Sequence, residues 1–109
     1  MNDCIFCKIA KKEAPAKFEY EDSDVMVFPD IHPVKPIHLL IVPKKHYEDL
    51  MDVSDKSLLS KMFETIEKMA KEKGLDKNGY RVLINGGGAQ AIRHLHIHLF
   101  GPIDQATLL

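Results

Sequence analysis

A chain of 109 residues has room for one domain, taken here as residues 1–109, around a single core. Hydrophobic residues make up 45% of it and charged residues 28%; the formal charge is −1, which argues against broad, charge-driven nucleic-acid binding but leaves room for a local anion site. No basic start followed by an apolar segment opens the chain, and its longest apolar stretch, Pro36 to Pro43, is far short of the roughly 20 residues of a membrane span, so a cytoplasmic protein without a membrane partner is expected.

Cys4 to Lys11 reads as a short helix stopped at Ala14-Pro15. It carries both cysteines of the chain as Cys4-x-x-Cys7, a spacing that suits metal ligands or a redox pair in a reducing compartment. Two strands follow, Phe18–Glu21 and Val25–Phe28, joined by the acidic turn Asp22-Ser23-Asp24. Pro29, Pro33 and Pro36 keep the next segment irregular, because proline has no N–H for a ladder and restricts its predecessor. His38–Val42 is nearly all apolar, as expected of a strand covered on both faces. Ser54–Lys73 is the one long helix: Leu58, Leu59, Met62, Phe63, Ile66, Met69 and Ala70 form an apolar stripe at helical period. Ser54 or Asp55 suits its N-cap, and Gly74 the position just past its end. Asn78-Gly79 turns the chain into a strand at Tyr80–Ile84; Gly86-Gly87-Gly88 is a loop, and His94–Phe100 is the last strand. The order predicts an α+β domain with a mainly antiparallel sheet, one long helix and a short N-terminal helix.

Alternate residues of a strand point to opposite faces, about 3.3 Å of rise apart. His94, His96 and His98 therefore share one face, while Leu95, Ile97 and Leu99 turn to the core. Three imidazoles side by side suit a solvated cluster, a metal face or a catalytic site, and the spacing alone does not choose among these.

The run His94-Leu95-His96-Ile97-His98-Leu99-Phe100 resembles the signature of the histidine triad (HIT) family, histidines alternating with apolar residues. The resemblance covers nearly the whole chain through Ile5-Phe6-Cys7-Lys8-Ile9, Phe28-Pro29-Asp30-Ile31, Pro33, His38 to His46, Gly79-Tyr80-Arg81, Asn85-Gly86 and Gln90. These features look like the Hint branch, whose members are homodimeric purine-nucleoside phosphoramidases. The resemblance implies a HIT-like fold, a purine nucleotide substrate, a homodimer and no organic cofactor. It makes His96 the nucleophile that forms a nucleotidyl-histidine intermediate. In the family the carbonyl of the first triad histidine, here His94, orients it. His98 would donate to the phosphate or leaving group, and His38 would support the cluster.

By the same resemblance, the backbone of Gln90, Ala91 and Ile92 would cradle the phosphate, Asp30 would accept from the ribose hydroxyls, and Asn85 would contact the ribose-phosphate end. Phe6, Phe28 and Ile31 would enclose the base, although plain core packing explains the two phenylalanines as readily. Ala91 stands where many Hint relatives have a hydroxyl residue, and the tail from Gly101 to Leu109 lacks the tryptophan of the animal relatives; both departures bear on leaving-group and substrate selection. Several bacterial HIT proteins bind zinc through the pattern that Cys4, Cys7, His46 and His94 match here, so a structural Zn²⁺ is expected, with ordinary buried thiols as the alternative. Two other functions share the motif: hydrolysis of dinucleoside polyphosphates, as in the Fhit-like branch, and non-catalytic nucleotide or zinc binding.

Overall fold

In the computed structural model, which describes residues 3–105, strand composition follows depth. The antiparallel sheet has five strands: β1 (Tyr20–Glu21), β2 (Val25–Pro29), β3 (Ile37–Pro43), β4 (Arg81–Ile84) and β5 (Ile97–Gly101), arranged β1-β2-β3-β5-β4. β2 and β3 lie inside it and are buried almost throughout, which is why they read as continuous apolar runs. The register pairs Leu39 with Leu99 and Ile41 with Ile97 on one face, and His38 with Phe100 and Leu40 with His98 on the other.

Helix α2 (Lys56–Glu72) covers the first face, burying Leu58, Met62, Ile66, Met69 and Ala70 against Val25, Val27, Leu39, Ile41, Leu95, Ile97 and Leu99. Asp55 caps it by accepting from the Ser57 N–H, and Gly74, at φ +73°, ends it in the left-handed region that favours glycine. Phe63 departs from the expected stripe: it is 51% exposed, at the margin of the buried arc. On the second face helix α1 (Ile5–Ala10) packs Phe6 and Ile9 onto Met26, Phe28, Leu40 and Val42. A one-turn α3 (Leu75–Asn78) and a 3-10 turn at Leu50–Asp52 were not foreseen. Gly79, at φ +94°, allows the chain to cross close to the Ile103 carbonyl, where a Cβ would collide.

The expected strand His94–Phe100 is shorter at its start: ladder pairing begins at Ile97. Continuing the register would set Leu95 opposite Pro43, which has no N–H to donate. The Leu95 N–H goes instead to the Tyr47 carbonyl (2.7 Å), and the Pro43 carbonyl accepts from the His94 ring (2.7 Å). Side-chain alternation survives, since Leu95, Ile97 and Leu99 all lie in the α2-side core. Among the described residues no helix is long and apolar enough to cross a membrane.

Candidate active site and metal centre

The second face of the sheet collects the histidines. His96 is buried, and its Nδ1 lies 2.7 Å from the His94 carbonyl oxygen. A carbonyl accepts only, so Nδ1 carries the proton and Nε2 keeps its lone pair. His98, on β5, stands next to it with ring centroids 5.0 Å apart. His38, on β3, meets His98 through an Nε2···Nδ1 contact of 2.9 Å. The Nε2 of His98 is buried with no partner among the described residues, a polar atom open to a group that enters the site. Burial pushes His98 down to about 4, helped by its imidazole neighbours and opposed by Asp30; it is neutral at physiological pH. His38 is lowered for the same first reason, with Asp30 again opposing.

Asp30 follows β2 and places one carboxylate oxygen 3.4 Å from His38 Nε2 and 3.8 Å from His98 Nδ1. The other accepts from the His32 N–H (2.8 Å), so the carboxylate also shapes the proline-rich loop. Phe6 sits edge-on to His96 and Phe28, with centroids 5.2 and 5.5 Å away. Both phenylalanines are core members as well as neighbours of the site. Ile31 is not packed with them: it is 85% exposed on the loop.

At the other end, Asn85 immediately follows β4 and leads into the glycine loop. Gln90 is buried and spends its side chain on that loop, accepting from the Gly88 N–H (2.9 Å) and donating to the Glu48 carbonyl (3.1 Å). Among the described residues, the N–H groups of Gln90, Ala91 and Ile92 have no protein acceptor, as an anion cradle requires. Composition gave no hint of Asp49. Its carboxylate accepts from the Gly87 N–H (2.8 Å), which holds it below its ordinary range, and its Oδ1 lies 2.8 Å from where a Cβ on Gly86 would stand. With the Tyr47 carbonyl on Leu95 and Glu48 on Arg93, the Tyr47–Asp49 stretch fastens the whole loop.

The four expected metal ligands also come together. Cys4 and Cys7 lie at the start of α1, His46 three residues past the end of β3, and His94 at the head of the triad. The separations are Cys4 Sγ–His94 Nδ1 3.3 Å, Cys7 Sγ–His46 Nδ1 3.2 Å, Cys7 Sγ–His94 Nδ1 3.6 Å and His46 Nδ1–His94 Nδ1 3.1 Å. Tetrahedral zinc, with bonds of about 2.3 Å to sulfur and 2.0 Å to nitrogen, sets such donors roughly 3.3–3.8 Å apart. The Nε2–H of His94 donates to the Pro43 carbonyl, which leaves Nδ1 as the ligand atom and fixes the ring. Burial holds His94 down at about 4, the neutral form a metal needs, and pushes the Cys4 thiol up. Donor type and number fit a closed structural site, and the separations of 3.1–3.6 Å come within a few tenths of an ångström of that spacing.

Known proteins resemble this chain in sequence and fold. A family model described as "Scavenger mRNA decapping enzyme C-term binding" matches residues 3–108. Protein HitA of Neisseria gonorrhoeae is 46% identical over 105 residues, 93% of this chain and 97% of HitA. A HIT family hydrolase of Legionella pneumophila superposes with a TM-score of 0.88 at 42% identity, over 94% of this chain and 95% of that one. A histidine triad nucleotide-binding protein of Candida albicans gives 0.86 at 38% identity, over 95% and 78%. A Zn-bound histidine triad protein of Mycobacterium smegmatis gives 0.84 at 32% identity, over 98% and 80%. With relatives of this identity matched along almost its whole length, the chain belongs to the histidine triad family.

Proposed function

We propose that this single HIT domain releases a nucleoside 5′-monophosphate, AMP or GMP, from a phosphoramidate or related leaving group, as a member of the Hint branch. The observation that carries the reading is the His96 Nδ1–H bond to the His94 carbonyl, which leaves Nε2 as a nucleophile on a buried, immobilised ring. With substrate bound, His98 first takes up a proton from solvent; Nε2 of His96 attacks the α-phosphorus, the bond from phosphorus to the leaving nitrogen breaks, and the departing nitrogen takes the Nε2 proton of His98, which is left neutral. Water then attacks the same phosphorus, the bond to His96 breaks, and the water's proton returns to His98. Positive charge that builds on His96 during attack is stabilised by the His94 carbonyl at 2.7 Å. The amides of Gln90, Ala91 and Ile92 would hold the phosphate oxygens, Asp30 the ribose hydroxyls and Asn85 the ribose-phosphate end. Phe6, Phe28 and Ile31 would border the base, Ile31 moving in from solvent to do so.

Cys4, Cys7, His46 and His94 would hold zinc, which when bound cross-links α1 to the sheet and supplies no chemistry at phosphorus. The hydrolase and nucleotide-binding relatives support the reaction class, and the zinc-bound relative supports the metal. A homodimer and cytoplasmic residence belong to the same reading. The test is to incubate the protein with a labelled adenosine phosphoramidate, quench, and map the modified residue. Label on His96, absent from His96→Ala, is the expected result; hydrolysis by His96→Ala at the parent rate would overturn the covalent route. Faster turnover of a dinucleoside polyphosphate than of the phosphoramidate would move the chain to the Fhit-like branch.

A further inference from the structure

Resting on that reading and extending it, the exposed loop after β2 holds a backbone group that reaches the reacting end of the site. Val34 lies in the stretch between Pro33 and Pro36, with its side chain in solvent. Its N–H, however, points inward and donates to His38 Nδ1 (3.1 Å). An amide N–H can only donate, so His38 Nδ1 is the bare nitrogen and its proton sits on Nε2. That Nε2 is the atom 2.9 Å from His98 Nδ1. His98 Nδ1 must therefore accept, and a neutral His98 carries its proton on Nε2, the buried atom with no partner among the described residues.

We infer that the Val34 amide, acting through His38, fixes His98 as an Nε2–H donor directed at the leaving group, which makes Val34 and His38 positioning groups for the proton-transfer half of the reaction. Two opposite backbone groups thus set opposite tautomers on neighbouring rings. The His94 carbonyl keeps a lone pair on His96 Nε2, and the Val34 N–H keeps a proton on His98 Nε2. Both outcomes require neutral imidazoles, and burial of His38 and His98 favours that form. The carboxylate of Asp30, 3.4 Å from His38 Nε2, favours a proton on that nitrogen and so reinforces the same arrangement.

The assignment also decides the fate of a second cluster. Asp30, His38 and His98 bring one ligand atom each within 4.8 Å, a set that could suit a metal ion. For His38 to ligate through Nε2 its proton would have to move to Nδ1, against the Val34 N–H. The backbone therefore reserves this trio for proton handling.

The experiment is nitrogen NMR of the zinc-loaded protein labelled with ¹⁵N-histidine, at neutral pH and without substrate, so that it does not depend on the hydrolase reading. Expected is a protonated Nε2 and a bare Nδ1 on both His38 and His98, with the reverse on His96. A His98 protonated on Nδ1 would overturn the inference whatever the protein's activity. Val34→Pro removes the one N–H while leaving a small apolar residue on an exposed loop. It should give His38 and His98 mixed tautomers, and an unchanged pattern would also overturn the relay. In turnover the same variant should slow a phosphoramidate with a poor leaving amine on the order of tenfold, part of the roughly 10²–10⁴-fold typical of general acid catalysis. A nucleotide ester whose leaving group needs no proton should be nearly unaffected, a contrast that simple loosening of the fold would not produce. His38→Gln, which keeps an N–H toward His98, should preserve the protonated His98 Nε2, whereas His38→Leu should lose it.

Discussion

At the residue scale, the three triad histidines differ because of what their second nitrogen meets. His94 gives its Nε2–H to Pro43 and turns Nδ1 toward the cysteines; His96 gives its Nδ1–H to His94; His98 accepts on Nδ1 from His38. A consequence for stability follows from burial. Folded His98 has its pKa lowered to about 4, whereas an unfolded histidine titrates near 6.5. Between those values the unfolded chain binds a proton that the folded chain refuses, so stability is full above about pH 6.5, falls as the pH drops toward 4, and levels off below. His38 adds to the fall, as does His94 when no metal holds it. Urea unfolding should show a midpoint that drops between pH 7 and pH 4.5, with a shallower drop in His98→Gln. A midpoint that does not move over this range would contradict the burial argument.

The division of roles was only partly visible in the sequence at this scale. Alternation of His94, His96 and His98 with three apolar residues announced a shared face, and the resemblance attached roles to them. The partners that set their tautomers are two carbonyls and one amide. Backbone groups are present at every position of every sequence, so only folding reveals which ones are used. Asp49 was missed for a related reason: a carboxylate whose role is to hold a distant glycine N–H has no signature of its own.

At the element scale, two connections carry the site, and each can be cut. The Tyr47–Asp49 stretch fastens the glycine loop through the Tyr47 and Glu48 carbonyls and the Asp49 carboxylate. Asp49→Ala frees the Gly87 amide while leaving the histidines in place. KM for the nucleotide substrate should rise by on the order of tenfold, with kcat changed less, short of the roughly 10²-fold cost of a 1 Å displacement of reacting groups. Equal losses in kcat alone would mean that the loop does not act through binding. The second connection is α1, which presents Cys7 to the metal cluster and Phe6 to His96. A six-residue helix has little stability of its own, so the zinc that ties it down would matter. Ligand binding at 1,000 times Kd stabilises by about 4 kcal/mol, and removing zinc with a chelator should lower the melting temperature by about 10 °C or more. An unaltered melting curve after the metal has been shown to leave would argue against a structural site.

At the scale of the whole molecule, β4 forms one edge of the sheet and, among the described residues, pairs only with β5. Leu83 on this strand is 40% exposed, and Tyr80 just before it is also exposed. Apolar edges of this kind invite pairing with another chain, and the proposed homodimer would cover it. Sedimentation at micromolar concentration should give a species of twice the chain mass, and Leu83→Lys should shift it toward the single chain. A parent protein that sediments as one chain would remove the dimer from the reading.

Sequence by itself determined the periodic features: that the strand at His38–Val42 is buried on both faces, which stripe of α2 meets the sheet, where Gly74 ends that helix, and which histidines lie side by side. These depend on residue type at regular spacing, and spacing is what a sequence records. Only the tertiary structure decided where β5 begins, because the ladder stops where Pro43 cannot donate. Only the fold brings Cys4 to His94 across 90 positions and Val34 to His38 at the turn of a proline-rich loop. The first contact joins residues far apart in the chain, reached in the sequence only through the family resemblance; the second turns on the aim of a single N–H bond, which no pattern of side chains encodes.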